Sequence, residues 1–205
     1  FFEVALFTGA IWLSGRLGVT SQAANQIALS LASLTFMFAM GLSVTAMIRV
    51  GNQKGLGDYQ KLRIVAISIF LLTIILQVVF ALLFVIFHKD LPYLFLNIEN
   101  SATATESLEV VSVASTLLLI AAVFQISDGI QATVLGALRG LQDAKVPAII
   151  SFISYWVIGF PICIYLGLFT ELKASGIWIG LLSGLTVAAI LLFYRFNYLT
   201  KKMIG

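Results

Sequence analysis

Two acidic side chains stand where acids are seldom found. Glu3 and Asp128 each lie inside a long apolar stretch, with no Lys or Arg at comparable depth. A carboxylate at the centre of a membrane-spanning helix costs about 2.5–3.5 kcal/mol on insertion scales, and acids retained there face a bundle interior or water. Two of them without a resident cation make a compact negative site. The missing positive partner must be a proton, a metal ion or a cationic substrate. The blander reading puts Glu3 at a headgroup boundary and makes Asp128 a protonated acid bonded to a neighbouring helix.

Spacing favours a site. Phe124, Asp128, Gln131 and Leu135 recur at helical intervals and share one face, and Phe7 follows Glu3 by one turn. Aromatic rings beside carboxylates suit a flat organic cation. Asn25 and Gln26 add neutral polar groups near the start of the second apolar run. Other chemistry finds little support. The one histidine, His88, stands beside Lys89 and Asp90, and the one cysteine, Cys163, sits in an apolar run. The sequence therefore offers no zinc ligand set and no Ser-His or Cys-His pair, so neither an enzyme nor a bound cofactor is expected. The glycine-dense link Val50 to Asp58 lacks the Gly-Lys-Ser/Thr ending of a phosphate loop; it is expected to stop a helix and turn.

The elements that must hold these residues follow from composition. Of the 205 residues, 60% are hydrophobic and only 10% charged, against about 25% charged in soluble domains. Uncharged runs cover Leu17 to Ile48 (32 residues), Ile64 to Phe87 (24), Val146 to Thr170 (25) and Ser175 to Tyr194 (20). A helix needs about 20 apolar residues to cross a hydrocarbon core. Val110 to Leu138 is long enough despite Asp128. The predicted fold is an all-α integral membrane bundle of six helices, at 1–15, 21–50, 62–88, 105–138, 146–169 and 175–196. The first is short and begins at Phe1, as expected of a piece of a longer chain. Pro161 should bend the fifth span, either for structure alone or to line a cavity. Gly176, Gly180 and Gly184 should let another helix of the same bundle approach closely.

Charge sets the expected orientation. Arg49, Lys54, Lys61, Arg63, Arg139, Lys145, Arg195, Lys201 and Lys202 fall at one set of helix ends, and only Arg16, Lys89 and Lys173 at the other. Asp90, Glu99, Glu106, Glu109 and Glu171 lie on the second side. The positive-inside rule makes the first side, with the C-terminus, cytoplasmic. The net charge of +3 then reflects topology rather than a nucleic-acid surface.

Several of these stretches resemble the multidrug and toxic compound extrusion (MATE) family. Ala23-Ala-Asn-Gln-Ile-Ala-Leu-Ser30, Met40-Gly-Leu-Ser43, Arg49-Val-Gly51 and Gly55-Leu-Gly-Asp58 look like its eighth helix and following turn. Asp128-Gly-Ile-Gln131 through Leu138-Arg-Gly-Leu-Gln-Asp143 to Pro147 resembles the tenth helix and its loop, and Phe2-Glu3-Val4 with Phe7 the seventh. The resemblance implies the C-terminal lobe of a twelve-helix, NorM-like antiporter of the bacterial inner membrane. Such a protein expels cationic or amphipathic drugs in exchange for sodium or protons, and its partner is an N-terminal lobe of the same chain. It implies coupling-ion binding, possible sodium included, at Glu3 and Asp128, and substrate contacts at Glu3, Phe7, Gln26, Phe124, Asp128 and Gln131. NorM-type members can carry a tyrosine one turn before the tenth-helix acid. Phe124 stands there, so that hydroxyl ligand is absent and protons are as well supported as sodium. A lipid-linked oligosaccharide flippase and a non-transporting structural subunit are the competing expectations.

Overall fold

The computed structural model describes residues 2–96 and 104–204, with the side chains of Phe2, Glu3 and Ala104 outside that description. Glu99 also lies outside it. The chain forms α1 (Phe2–Arg16), α2 (Val19–Gly55), α3 (Tyr59–Phe87), a 3₁₀ turn at Leu91–Leu94, α4 (Ala104–Gly140), α5 (Lys145–Phe152), a π-helical segment (Ile153–Gly159), α6 (Phe160–Leu168) and α7 (Lys173–Ile204). The π segment joins α5 and α6 into one rod, so six helical rods make the bundle. Five of them are long and apolar enough to cross a membrane. The sixth, α1, has 15 residues, which reach about 22 Å at 1.5 Å per residue.

Helix α4 is the hub. It packs along α2, α3 and α7, and its side chains join both halves of the buried core. The outer surface is apolar instead of charged. On α3, Leu71, Leu72, Ile75, Val79, Leu82, Leu83 and Ile86 are all exposed, as a lipid-facing helix requires.

Because lipid is as apolar as leucine, helices in a bilayer associate through close packing rather than escape from water. Small residues supply that packing here. A Cβ on Gly136 would strike the Ser43 backbone, and one on Gly140 would come 2.5 Å from the Met47 carbonyl oxygen, so α2 and α4 cross almost in backbone contact. The ladder on α7 works the same way against the α5–α6 rod. Gly176 abuts Leu166, Gly180 would place a Cβ 2.5 Å from the Cys163 nitrogen, and Gly184 would place one 3.0 Å from Gly159. The three glycines are packing notches within the lobe.

Helix α7 runs on to Ile204, eight residues past the expected end at 196, and two further features differ from the sequence expectation. Helix α2 continues through Gly55, and the turn falls at Gly57, whose φ of 72° is the left-handed geometry that glycine adopts without strain. The extra turn carries Lys54, whose Nζ donates to the Leu141 carbonyl at 2.8 Å and to Gln142 at 3.1 Å. Asp58 then caps α3, accepting from the Lys61 N–H at 3.0 Å. Where a bend was expected at Pro161, the rod carries the π segment. Pro161 follows it inside the continuous rod, where proline removes one backbone donor, and the preceding residues wind wider. The basic ends gather as anticipated on one side: Arg195 pairs with Asp143 at 2.8 Å and Arg63 donates to Asn197 at 2.9 Å.

The glycine contacts give opposite signs for two similar substitutions. Gly180→Ala should lower the thermal midpoint in detergent, because overpacking a tight contact costs about 1–3 kcal/mol. Gly41→Ala has nothing within 4 Å of the new methyl and should hold or raise the midpoint, since alanine is favoured in a helix by about 1 kcal/mol.

Candidate functional site

A cavity of about 630 Å³ opens between α1 and α2, with α4 behind. That volume falls in the range of small-molecule sites, roughly 300–1,000 Å³. Helix α1 contributes Val4, Phe7, Thr8 and Ile11; α2 contributes Gln26, Ser30, Ser33 and Phe36 among others; α4 contributes Phe124 and Asp128. Four sequence-predicted residues, Phe7, Gln26, Phe124 and Asp128, therefore line the same cavity. Asp128 is only 5% exposed, so its carboxyl group is enclosed by protein at the back of the cavity. Among the described residues, no Lys, Arg or His lines the space.

Hydroxyl groups on the wall are oriented by their own helices. Thr8 donates to the Val4 carbonyl at 2.9 Å and Ser30 to the Gln26 carbonyl at 2.8 Å. Each hydroxyl has one proton, already committed, so both oxygens can only accept from a guest.

An aromatic chain fixes the inner wall. Phe7 meets Phe124 edge to face with centroids 6.0 Å apart, and Phe124 meets Trp178 of α7 at 5.1 Å. Such pairs contribute about 0.5–1.5 kcal/mol beyond their burial. Trp178 is fully buried and donates its indole N–H to Asn25 Oδ1 at 2.9 Å. Asn25, next to the cavity residue Gln26, thus sets the Phe124 ring through Trp178.

Two predicted residues stand apart. Gln131 does not line the cavity; it is 1% exposed and turned into the protein. It stands only about 20° round the helix from Phe124 but about 10 Å further along the axis, beyond Asp128, where the α4 part of the cavity lining ends. The side chain of Glu3 lies outside the described residues. Thr8, Ser30 and Ser33 were missed; helical spacing was enough to find Ser30 and Ser33, which follow Gln26 by four and seven residues, whereas Thr8 has no such relation to a predicted site residue.

A bundle of apolar helices around an acid-backed, drug-sized cavity is the form of a membrane transporter lobe. The MatE family model matches residues 1–165, and the chain belongs to that family. It is 40% identical over 200 residues to a probable multidrug resistance protein NorM of Agrobacterium fabrum, covering 98% of this chain and 42% of that protein. It is 37% identical over 206 residues to multidrug resistance protein MdtK of Yersinia pseudotuberculosis, covering 98% and 43%. The chain thus spans less than half the length of these relatives. Among solved structures it is similar to the eukaryotic MATE transporter AtDTX14, with a TM-score of 0.84 and 23% identity over 98% of this chain and 44% of that one. An outward-facing multidrug resistance MATE family transporter of the MOP superfamily gives a TM-score of 0.86 at 16% identity, covering 98% and 44%. The fold is one six-helix lobe of a MATE-type transporter, in a multi-pass membrane protein.

Asn25→Leu should leave the buried Trp178 N–H without its acceptor, a loss of about 1–3 kcal/mol, read as a lower thermal midpoint. Adding Trp178→Phe should recover part of that loss, because the stranded donor is then gone.

Proposed function

We propose that this chain is the substrate- and cation-binding lobe of a secondary active multidrug efflux antiporter of the bacterial inner membrane. Its substrates are organic cations or amphipathic drugs, and its coupling ion is sodium or a proton. The observation that carries the reading is the buried Asp128 behind a drug-sized cavity whose described wall holds no Lys, Arg or His. The names of the relatives, multidrug resistance proteins NorM and MdtK, support the same direction, as does kinship with transporters rather than enzymes.

In this mechanism Asp128, with Glu3 on α1, holds negative charge that a cationic substrate and a coupling cation compete to neutralise. Binding of the cation from outside discharges the substrate, because one acidic site does not satisfy both charges. Phe7 and Phe124 offer ring faces to a flat cation, and Gln26 orients it by hydrogen bonding. Rocking against the second lobe of the longer protein exchanges access between the two sides, as in other repeat-built transporters. The flippase alternative calls for basic cavity residues to hold a pyrophosphate, and none lines the described wall. A purely structural subunit leaves the buried acid without a purpose.

Asp128→Asn in the full-length protein should abolish gradient-driven drug efflux from proteoliposomes while leaving the protein folded. Sodium and proton gradients imposed separately identify the ion; undiminished coupled efflux refutes the assignment. Orientation has its own test. Green fluorescent protein fused after Gly205 should fluoresce and alkaline phosphatase at the same point should be inactive, as a cytoplasmic C-terminus requires.

A further inference from the structure

A second polar feature lies away from the cavity, at the seam between α3 and α4. Thr73 and Thr133 face each other with hydroxyl oxygens 3.1 Å apart. One turn further along α3, Gln77 fills the notch at Gly129, its Cγ 2.8 Å and its Nε2 3.0 Å from where a Cβ would stand. The helices run antiparallel, so the next pair of positions on the same faces is Ala81 and Gln125.

Both glutamines are closed off from the outside, Gln77 at 1% exposure and Gln125 at 2%. Neither lines the cavity. None of their four amide atoms has a hydrogen-bond partner among the described residues. Buried amides in that state are heavily penalised, and Gln77 lies inside the uncharged run Ile64 to Phe87, where bulk water does not reach. Each amide both donates and accepts. A metal cation would satisfy the oxygens and repel the NH₂ groups; another apolar side chain would satisfy neither. Water does both, and polar sites with several partners are where buried water is held.

We propose that the α3–α4 seam is an internal water site, with ordered water bridging the Gln77 and Gln125 amides. Gln125 precedes Asp128 by three residues, a neighbouring position on the α4 surface, so this water lies within one helical turn of the acid and outside the substrate cavity. The site is a property of the folded lobe and stands apart from the efflux reading.

A structure of the full-length protein at a resolution that shows ordered water decides the site. Water density should lie about 2.7–3.2 Å from amide atoms of both glutamines. An empty seam, with the amides bonded directly to each other or to backbone, overturns the proposal. Gln77→Met and Gln125→Met, close in shape and apolar, give a second measure. Removing a water-bridged amide lowers the thermal midpoint, whereas removing an unsatisfied one leaves it unchanged or raises it, and the latter result also overturns the site.

Discussion

The constraint behind this structure is that hydrocarbon offers polar groups no partners, so each must be satisfied by the protein or by what the protein encloses. Asp128 is the extreme case. It lies on α4, the helix gripped by α2, α3 and α7, where few faces meet lipid and a carboxyl group is readily enclosed. The placement of the acid suits the centrality of α4. On α3, with much of its surface facing outward, only the narrow face toward α4 could hold such a group.

Close packing makes the hub possible. Gly136 and Gly140 let α2 lie against α4 almost backbone to backbone, and Gly180 and Gly184 do the same for α7 against the α5–α6 rod. Glycine weakens a soluble helix by about 1 kcal/mol, but here each one admits a neighbour whose dispersion contacts replace the absent hydrophobic drive. The aromatic chain Phe7–Phe124–Trp178 then ties α1 and α7 through α4. The cavity wall is thus anchored in the frame and does not rest on surface loops.

The membrane spans were legible because a charge-free run of the required length has few other uses. The site was legible in part for the same reason: Asp128 interrupts such a run, and one turn of helix relates it to Phe124. Gln131 shows where periodicity fails: it shares a helix face with Phe124, but spacing does not say how far along the axis the cavity reaches. The π segment had only Pro161 as its sign. A proline announces a lost donor but not how the preceding turn rewinds. Asn25 and Trp178 are 153 positions apart, and no local pattern joins them. The seam glutamines were hidden differently: Gln77 reads as one polar residue in an apolar run, and its meaning depends on Gly129 standing opposite.

The charge preference of the cavity is not the work of the carboxyl group alone. Thr8 and Ser30 turn their protons back to the carbonyls of Val4 and Gln26, so the wall shows lone pairs where a different rotamer would show donors. Only the Gln26 amide and the Ser33 hydroxyl remain on the described wall as side chains able to donate. An anionic guest would find few donors and a buried acid behind them; a cation would find acceptors at several depths and ring faces beside them. This bias arises from ordinary helix back-bonding and does not depend on the carboxyl group. The committed hydroxyls and the buried acid therefore bias the described wall in the same direction, toward a guest that donates hydrogen bonds.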